Sequence, residues 1–274
     1  MMLLQAGQLG FTRMDSIWTD EIPPEMVAGA TMWLDFTDPA TVFPNDDLTG
    51  TSPSDGESVL SVKDKVLAGI AGAKFFSGTP LKVKLPGANG GGVARREGGS
   101  LQMEVLSSFP TTNAYAQTLV TTTTKLVIVA VNVRAAGAYT SNPWVADAVI
   151  CDAGGFFGIH LMQSDVGDGS LIATAFNYSS GTERADRPIA TNQWQVITLS
   201  QQAGSLRCRV NGGAWASVSS AATSTLANNA RILDGATLDA DIAHIATFNT
   251  AQTDAAISAV EHWMALDVGI TPWW

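Results

Sequence analysis

Residues 192–218 read NQWQVITLSQQAGSLRCRVNGGAWASV, and they decide the fold class. Trp194, Val196, Ile197 and Leu199 make a half-buried strand, and Leu206, Cys208 and Val210 alternate with Arg207 and Arg209 in a second. Asn211-Gly212 then turns the chain towards Trp215 and Val218. Both turn residues tolerate the positive φ of a type I′ turn, and Asn-Gly between alternating apolar runs is a strong hairpin signal. Three consecutive antiparallel strands of this kind predict an all-β protein.

Working outward, the same grammar recurs. Lys125–Val133 (KLVIVAVNV) is nearly continuous in apolar residues, as a strand buried on both faces would be, so it is placed centrally. Strands are expected over 144–151, 156–162 and 171–178, separated by turns rich in Gly, Asp and Ser, and over 30–36, 59–64 and 81–85. Gly87–Gly92 is a glycine-rich turn. No Lys-Ser or Lys-Thr follows it and no helix opens after it, so it is not a phosphate cradle. After a strand over 242–248 the pattern changes. Thr253 is a candidate N-cap, Asp254 suits the first turn, and Ile257, Val260 and Met264 keep helical spacing. One amphipathic helix is predicted to about Asp267, with Gly269 as its stop.

Composition bounds the function. At 274 residues with 46% hydrophobic content the chain has ample material for a core. A formal net charge of −10 argues against nucleic acid, which demands a basic face, and against anionic membranes. No apolar run is long enough to span a bilayer, and the start lacks a basic n-region, so no signal peptide is expected. Cys151 and Cys208 lie in apolar stretches. A bridge between them is open, and buried free thiols are the favoured reading.

Both termini stand apart. Residues 1–27 carry Leu3, Leu4, Phe11, Ile17 and Trp18 without a steady period and run into Pro23-Pro24. An apolar arm with no core of its own must lie on its own body or on another chain, and the second is favoured. The ending Pro272-Trp273-Trp274 either folds back under the helix or anchors a neighbour.

Three pieces carry a resemblance. ATMWLDFTDPATV (30–42) with its Asp-Pro turn, GESVLSVKDK (56–65), and the stretch 238–270 with Asp241-Ile242-Ala243 and Gly269-Ile270 resemble the concanavalin A-like, laminin-G-like modules of bacterial and phage proteins. Val62 stands where that family usually has tryptophan. The resemblance spans about residues 28–270 and implies a two-sheet jelly roll, a concave sheet often used for glycans, loops sometimes holding calcium, and service as adhesion or surface modules of phage virions.

Candidate sites were weighed against plainer roles. Retaining glycosidases need two carboxylates about 5–5.5 Å apart facing one cleft. The glutamates are scattered, and Asp239 and Asp241, two apart, read as turn and edge residues. His160, His244 and His262 are isolated and suggest no zinc site. Calcium is the one ion admitted, at Asp165-Val166-Gly167-Asp168-Gly169 with Asp152 as a neighbour, although an acidic surface turn using Asp and Gly for backbone reasons is the favoured reading. For carbohydrate, Trp144 with Asp147, and Asn177 with Tyr178, offer an aromatic ring beside a hydrogen-bonding group.

The expectation is therefore an all-β, two-sheet antiparallel jelly-roll sandwich of the concanavalin A-like type with one C-terminal helix. Residues 1–27 form an extended N-terminal arm and 28–274 the sandwich. The first functional reading is a non-enzymatic structural, decorating or adhesion protein of a phage-type virion, made in the host cytoplasm. It would dock on other virion proteins or on further copies of itself through Leu3, Leu4, Phe11, Ile17, Trp18, Trp273 and Trp274. The alternative is a soluble carbohydrate-binding, lectin-like module. A glycoside hydrolase comes third, and no cofactor is required by any of the three.

Overall fold

The computed structural model describes residues 23–24, 27–66, 72–85, 87, 92–97, 101–105, 119–121, 124–143, 146–152, 154–178, 182–202, 204–221, 224–226 and 230–271. Leu3, Leu4, Phe11, Ile17 and Trp18 of the arm, Trp273 and Trp274 of the tail, and Trp144 lie outside them.

Among the described residues, antiparallel strands build two nine-stranded sheets. Sheet A runs β16 (Ala216–Ser219), β15 (Ser205–Val210), β14 (Trp194–Gln202), β9 (Lys125–Ala135), β18 (Asp239–Phe248), β7 (Val93–Glu97), β6 (Leu81–Lys84) and β3 (Ser58–Val59). β1 (Ala30–Asp35) pairs with the C-terminal half of β18, beyond β7. Sheet B runs β13 (Thr182–Ile189), β12 (Leu171–Tyr178), β11 (Phe157–Gln163), β10 (Asp147–Cys151), β17 (Arg231–Asp234), β8 (Leu101–Val105), β5 (Gly72–Gly78), β4 (Ser61–Lys63) and β2 (Val42–Phe43). This is the expected two-sheet sandwich with one C-terminal helix, α1 (Asp254–Asp267).

β9 shows why the apolar run sits centrally. Val127, Val129, Val131 and Val133 enter the core between the sheets, while Leu126, Ile128 and Ala130 face the other way, under α1. Its neighbours are β14 and β18, so both edges and both faces are covered. Helix α1 begins where the capping rule places it. The Thr253 hydroxyl accepts the Ala256 N–H at 3.2 Å. At the other end Gly269 takes φ +75°, and the N–H of Ile270 returns to the Ala265 carbonyl at 2.8 Å. Ile257, Val260, Met264 and Ala265 bury against sheet A, at roughly 1.5–3 kcal/mol for each large apolar side chain.

The hairpin at 210–213 has positive φ at Asn211 (49°) and Gly212 (62°), with the Gly213 N–H on the Val210 carbonyl at 3.0 Å, as a type I′ turn requires. The ring of Trp215 then lies 4.3 Å from the Arg207 guanidinium and 4.2 Å from that of Arg209. Cys151 and Cys208 are free and buried in different sheets, and burial pushes the Cys208 thiol up to about 12.

Three sequence expectations need correction. Asp239 and Asp241 are not turn and edge residues. They stand in β18, between β9 and β7, where Arg134 holds Asp239 at 2.5 Å and Asp241 at 2.8 Å, and Arg95 holds Asp241 at 2.7 Å. The strand expected from 144 begins at Asp147. Two polar strands, β7 (VARRE) and β13 (TERADRPI), carry too little apolar alternation to be read locally. β13 is an edge strand, where Pro188 is tolerated.

The three stretches that carry the family resemblance meet in one node. The Trp33 N–H donates to Asp64 Oδ1 at 2.9 Å, and the Lys65 ammonium bridges Asp35 at 2.9 Å and Asp38 at 3.1 Å while lying 4.4 Å over the Trp33 ring. His244 of β18 reaches Asp267 of α1 at 2.8 Å, and its ring packs beside Trp263, which meets Trp33 edge-on. Burial works to lower the pKa of Lys65, but Asp35 and Asp38 outweigh it and hold it above the ordinary lysine value. The resemblance thus rests on residues that lock β1, the Asp64-Lys65 turn, β18 and α1 together.

Candidate functional site

The two sheets present their outer faces differently. That of sheet A is partly roofed by α1. On that of sheet B, His160, Met162, Thr174 and Phe176 are fully buried, and Phe156 and Tyr178 are exposed at one end.

β11 and β12 pair in register, Phe157 against Asn177, so Phe156 and Tyr178 stand opposite one another at the end of the ladder. The Tyr178 N–H donates to the Phe156 carbonyl at 2.8 Å, and the two ring centroids lie 5.4 Å apart at 30°. They are 41% and 36% exposed, so both offer a face to solvent. The platform is fixed from below: Asp152 accepts the Phe156 N–H at 2.6 Å, and Ser224 donates to the Tyr178 carbonyl at 2.5 Å. Burial raises the Asp152 carboxyl above its usual value, against the backbone N–H groups that it accepts.

One strand further, Arg184 of β13 lies across from Phe176, and two residues on, Asp186 lies across from Thr174. Arg184 grips Asp186 through Nε at 2.9 Å and Nη2 at 2.7 Å, and Thr174 donates to Asp186 at 2.8 Å. The Arg184 guanidinium also sits 5.3 Å over the ring of Tyr139, which is 40% exposed. Burial works against the charge of Arg184, but Asp186 and Tyr139 keep its pKa above the usual guanidinium value. His160, on β11, is fully buried and meets Phe176 edge-on at 5.5 Å. Burial holds its pKa at about 4, so the imidazole is neutral at ordinary pH.

The residues read from the sequence fall into three groups. Tyr178 is on the platform. Asn177 is not, because successive side chains on a strand point to opposite faces. It is buried between the sheets, where its amide donates to Gln201 Oε1, which also accepts Lys125 Nζ at 3.3 Å. Burial lowers Lys125 to about 8, against the pull of Glu183 and Asp152, and its ammonium lies 4.7 Å over the Phe157 ring. Asp147 is buried as a tether. It accepts the Gly137 N–H at 2.8 Å and the Thr237 hydroxyl at 2.6 Å, and a Cβ at Gly235 would stand 1.9 Å from its Oδ1. Trp144 lies outside the described residues.

Phe156 was missed because its partnership with Tyr178 is a matter of strand register. For calcium, Asp152 and the 165–169 loop sit at opposite ends of β11, so they cannot share an ion. Among the described residues no three His, Cys, Asp or Glu side chains gather in a metal-binding group. A separate apolar cavity of about 280 Å³ is walled by Phe36, Pro39, Val42, Pro53, Val83 and Leu85, without a titratable side chain.

No protein-family model matches the chain, and no curated protein matches it in sequence. Solved structures do. The binding domain of botulinum neurotoxin DC in complex with SialylT superposes with a TM-score of 0.53 at 10% identity over 86% of this chain. The same domain in complex with rat synaptotagmin II gives the same values. Each alignment takes in 52% of the toxin chain, so this chain spans about half its length. Domain 4 of AbnA, a GH43 extracellular arabinanase of Geobacillus stearothermophilus, in complex with arabinotriose, superposes with a TM-score of 0.50 at 14% identity. That alignment takes in 85% of this chain and 98% of the arabinanase domain. At these identities the likeness establishes the β-sandwich fold.

Proposed function

We propose that this protein is a non-enzymatic carbohydrate-binding module whose sugar lies on the outer face of sheet B. The observation that carries the reading is the Phe156–Tyr178 pair. Two exposed rings are held by strand register, on the same face of the sheet as a hydroxyl, a carboxylate and a guanidinium already oriented by one another. Aromatic faces meet the C–H face of a sugar ring, and preorganised polar groups meet its hydroxyls at little entropic cost.

The arabinanase domain supports this reading further than the toxin does. Nearly all of that domain aligns with this chain, and it is known with arabinotriose bound. SialylT is bound by a toxin domain of which only about half aligns. A non-enzymatic role is supported by Asp239 and Asp241, whose carboxylates are taken up by Arg134 and Arg95. The arm on which virion docking would depend lies almost wholly outside the described residues, and the described surface favours sugar recognition.

The test is titration calorimetry with arabino-oligosaccharides, after a screen of immobilised glycans. Phe156→Ala and Tyr178→Ala should each weaken binding at least about tenfold, or about 1.4 kcal/mol. Absence of binding to any glycan, or an affinity untouched in the double variant, would overturn the proposal.

A further inference from the structure

The charges on this face narrow the class of sugar, given the sugar-binding reading above. Across β17, β10, β11, β12 and β13 one register row runs Arg231, Cys151, Gly158, Phe176, Arg184. Both of its guanidinium groups are occupied: Arg184 by Asp186, and Arg231 by Asp234 at 3.1 Å. The third basic side chain nearby, His160, is buried beneath the face and neutral.

A fourth, Arg187 of β13, alternates onto the inner side with Ala185 and Ile189. Of the fifteen Lys and Arg residues of the chain, only Arg13 lies outside the described residues, and the stretches 153 and 179–181 that adjoin the platform in sequence carry none. Lys125 is buried between the sheets, and Lys74 stands on β5, five strands from β12. At the platform itself the Phe156 N–H is held by a carboxylate, Asp152, and the whole chain carries a formal −10. Among the described residues that face outward on β10 to β13, an anionic sugar would meet no unpaired cation, and it would approach a chain of net negative charge.

We infer that the Phe156–Tyr178 platform selects uncharged saccharides and turns away acidic ones, with Asp186 setting this preference by occupying Arg184. Asp186 is a positioning residue in this account. It acts through the guanidinium beside it.

The experiment is a panel of neutral oligosaccharides, arabinotriose and lactose among them, each matched with a counterpart carrying a sialic or uronic acid. Wild type should bind the neutral member of each pair at least about tenfold more tightly. Asp186→Asn, which releases Arg184, should raise the acidic-to-neutral affinity ratio by about tenfold. Adding Arg184→Gln to it should return the ratio to the wild-type value, a reversal that a merely loosened strand would not produce. If the acidic members bind as tightly as the neutral ones in wild type, or if Asp186→Asn leaves the ratio unchanged, the inference fails while sugar binding stands. Silence across the whole panel would remove the sugar-binding reading and this inference with it.

Discussion

The two outer faces are covered in different ways. Sheet A puts Leu126, Ile128, Ala130, Val196, Ala246 and Phe248 outward, and α1 buries them. The helix is fastened by a charged lock as well as by apolar contact. Glu261 is fully buried and accepts Arg209 Nε and Nη2, each at 2.8 Å, together with the Thr198 hydroxyl. Sheet B puts His160, Met162, Thr174 and Phe176 outward, all fully buried, and only towards its edge do Phe156, Tyr178, Asp186 and Pro188 reach the surface. An apolar face has to be covered to stabilise the fold. A mixed aromatic and polar margin need not be.

Four changes would break or sharpen that contrast. The largest effect should come from the helix lock. Glu261→Gln leaves the Arg209 charge buried without its counter-charge, and should cost about 3–5 kcal/mol in urea unfolding while sugar affinity per folded molecule holds. A loss below about 1 kcal/mol would mean that apolar packing alone retains the helix.

Lys125, between the sheets, comes next. Its folded pKa of about 8 lies below the ordinary lysine value, so between the two the unfolded chain binds more protons. Wild type should therefore gain stability as pH rises from about 8 towards about 10.4, by up to about 3 kcal/mol. Lys125→Met should lack that rise when the two are compared across the same pH series. Lys65 contributes with the opposite sign: its stabilisation is present below the ordinary lysine value and is lost as pH rises through its raised folded value.

Thr253→Ala removes the helix cap and should cost about 1 kcal/mol, visible as a lower melting temperature. Smallest of all, Tyr178→Ala on the open face should change stability by no more than about 0.5 kcal/mol. Because the same variant is the one expected to lose sugar affinity, a large stability loss would recast Tyr178 as a packing residue.

Much of the architecture was legible in the chain. The alternation in 192–218, the unbroken apolar run of β9, and the Thr253 and Gly269 signals at the two ends of α1 each report a local requirement of backbone and burial. The candidate face was legible only in fragments. Tyr178 could be picked out as an aromatic near polar groups, but Asn177 was assigned beside it although adjacent strand residues face opposite ways. Asp147 has the chemistry of a sugar ligand and spends it on Gly137 and Thr237 instead. β7 and β13 escaped notice because their polar side chains are satisfied by partners remote in sequence, as Arg95 is by Asp241.

What this sequence determined by itself is whatever depends on neighbours along the chain: strand periodicity, turn chirality, helix start and stop. Those follow from backbone sterics and side-chain alternation within a few residues. Which face the helix would cover, that Phe156 would meet Tyr178, and that Thr174 would meet Asp186 were decided by strand order and register. These are long-range pairings, settled by how the two sheets close on one core.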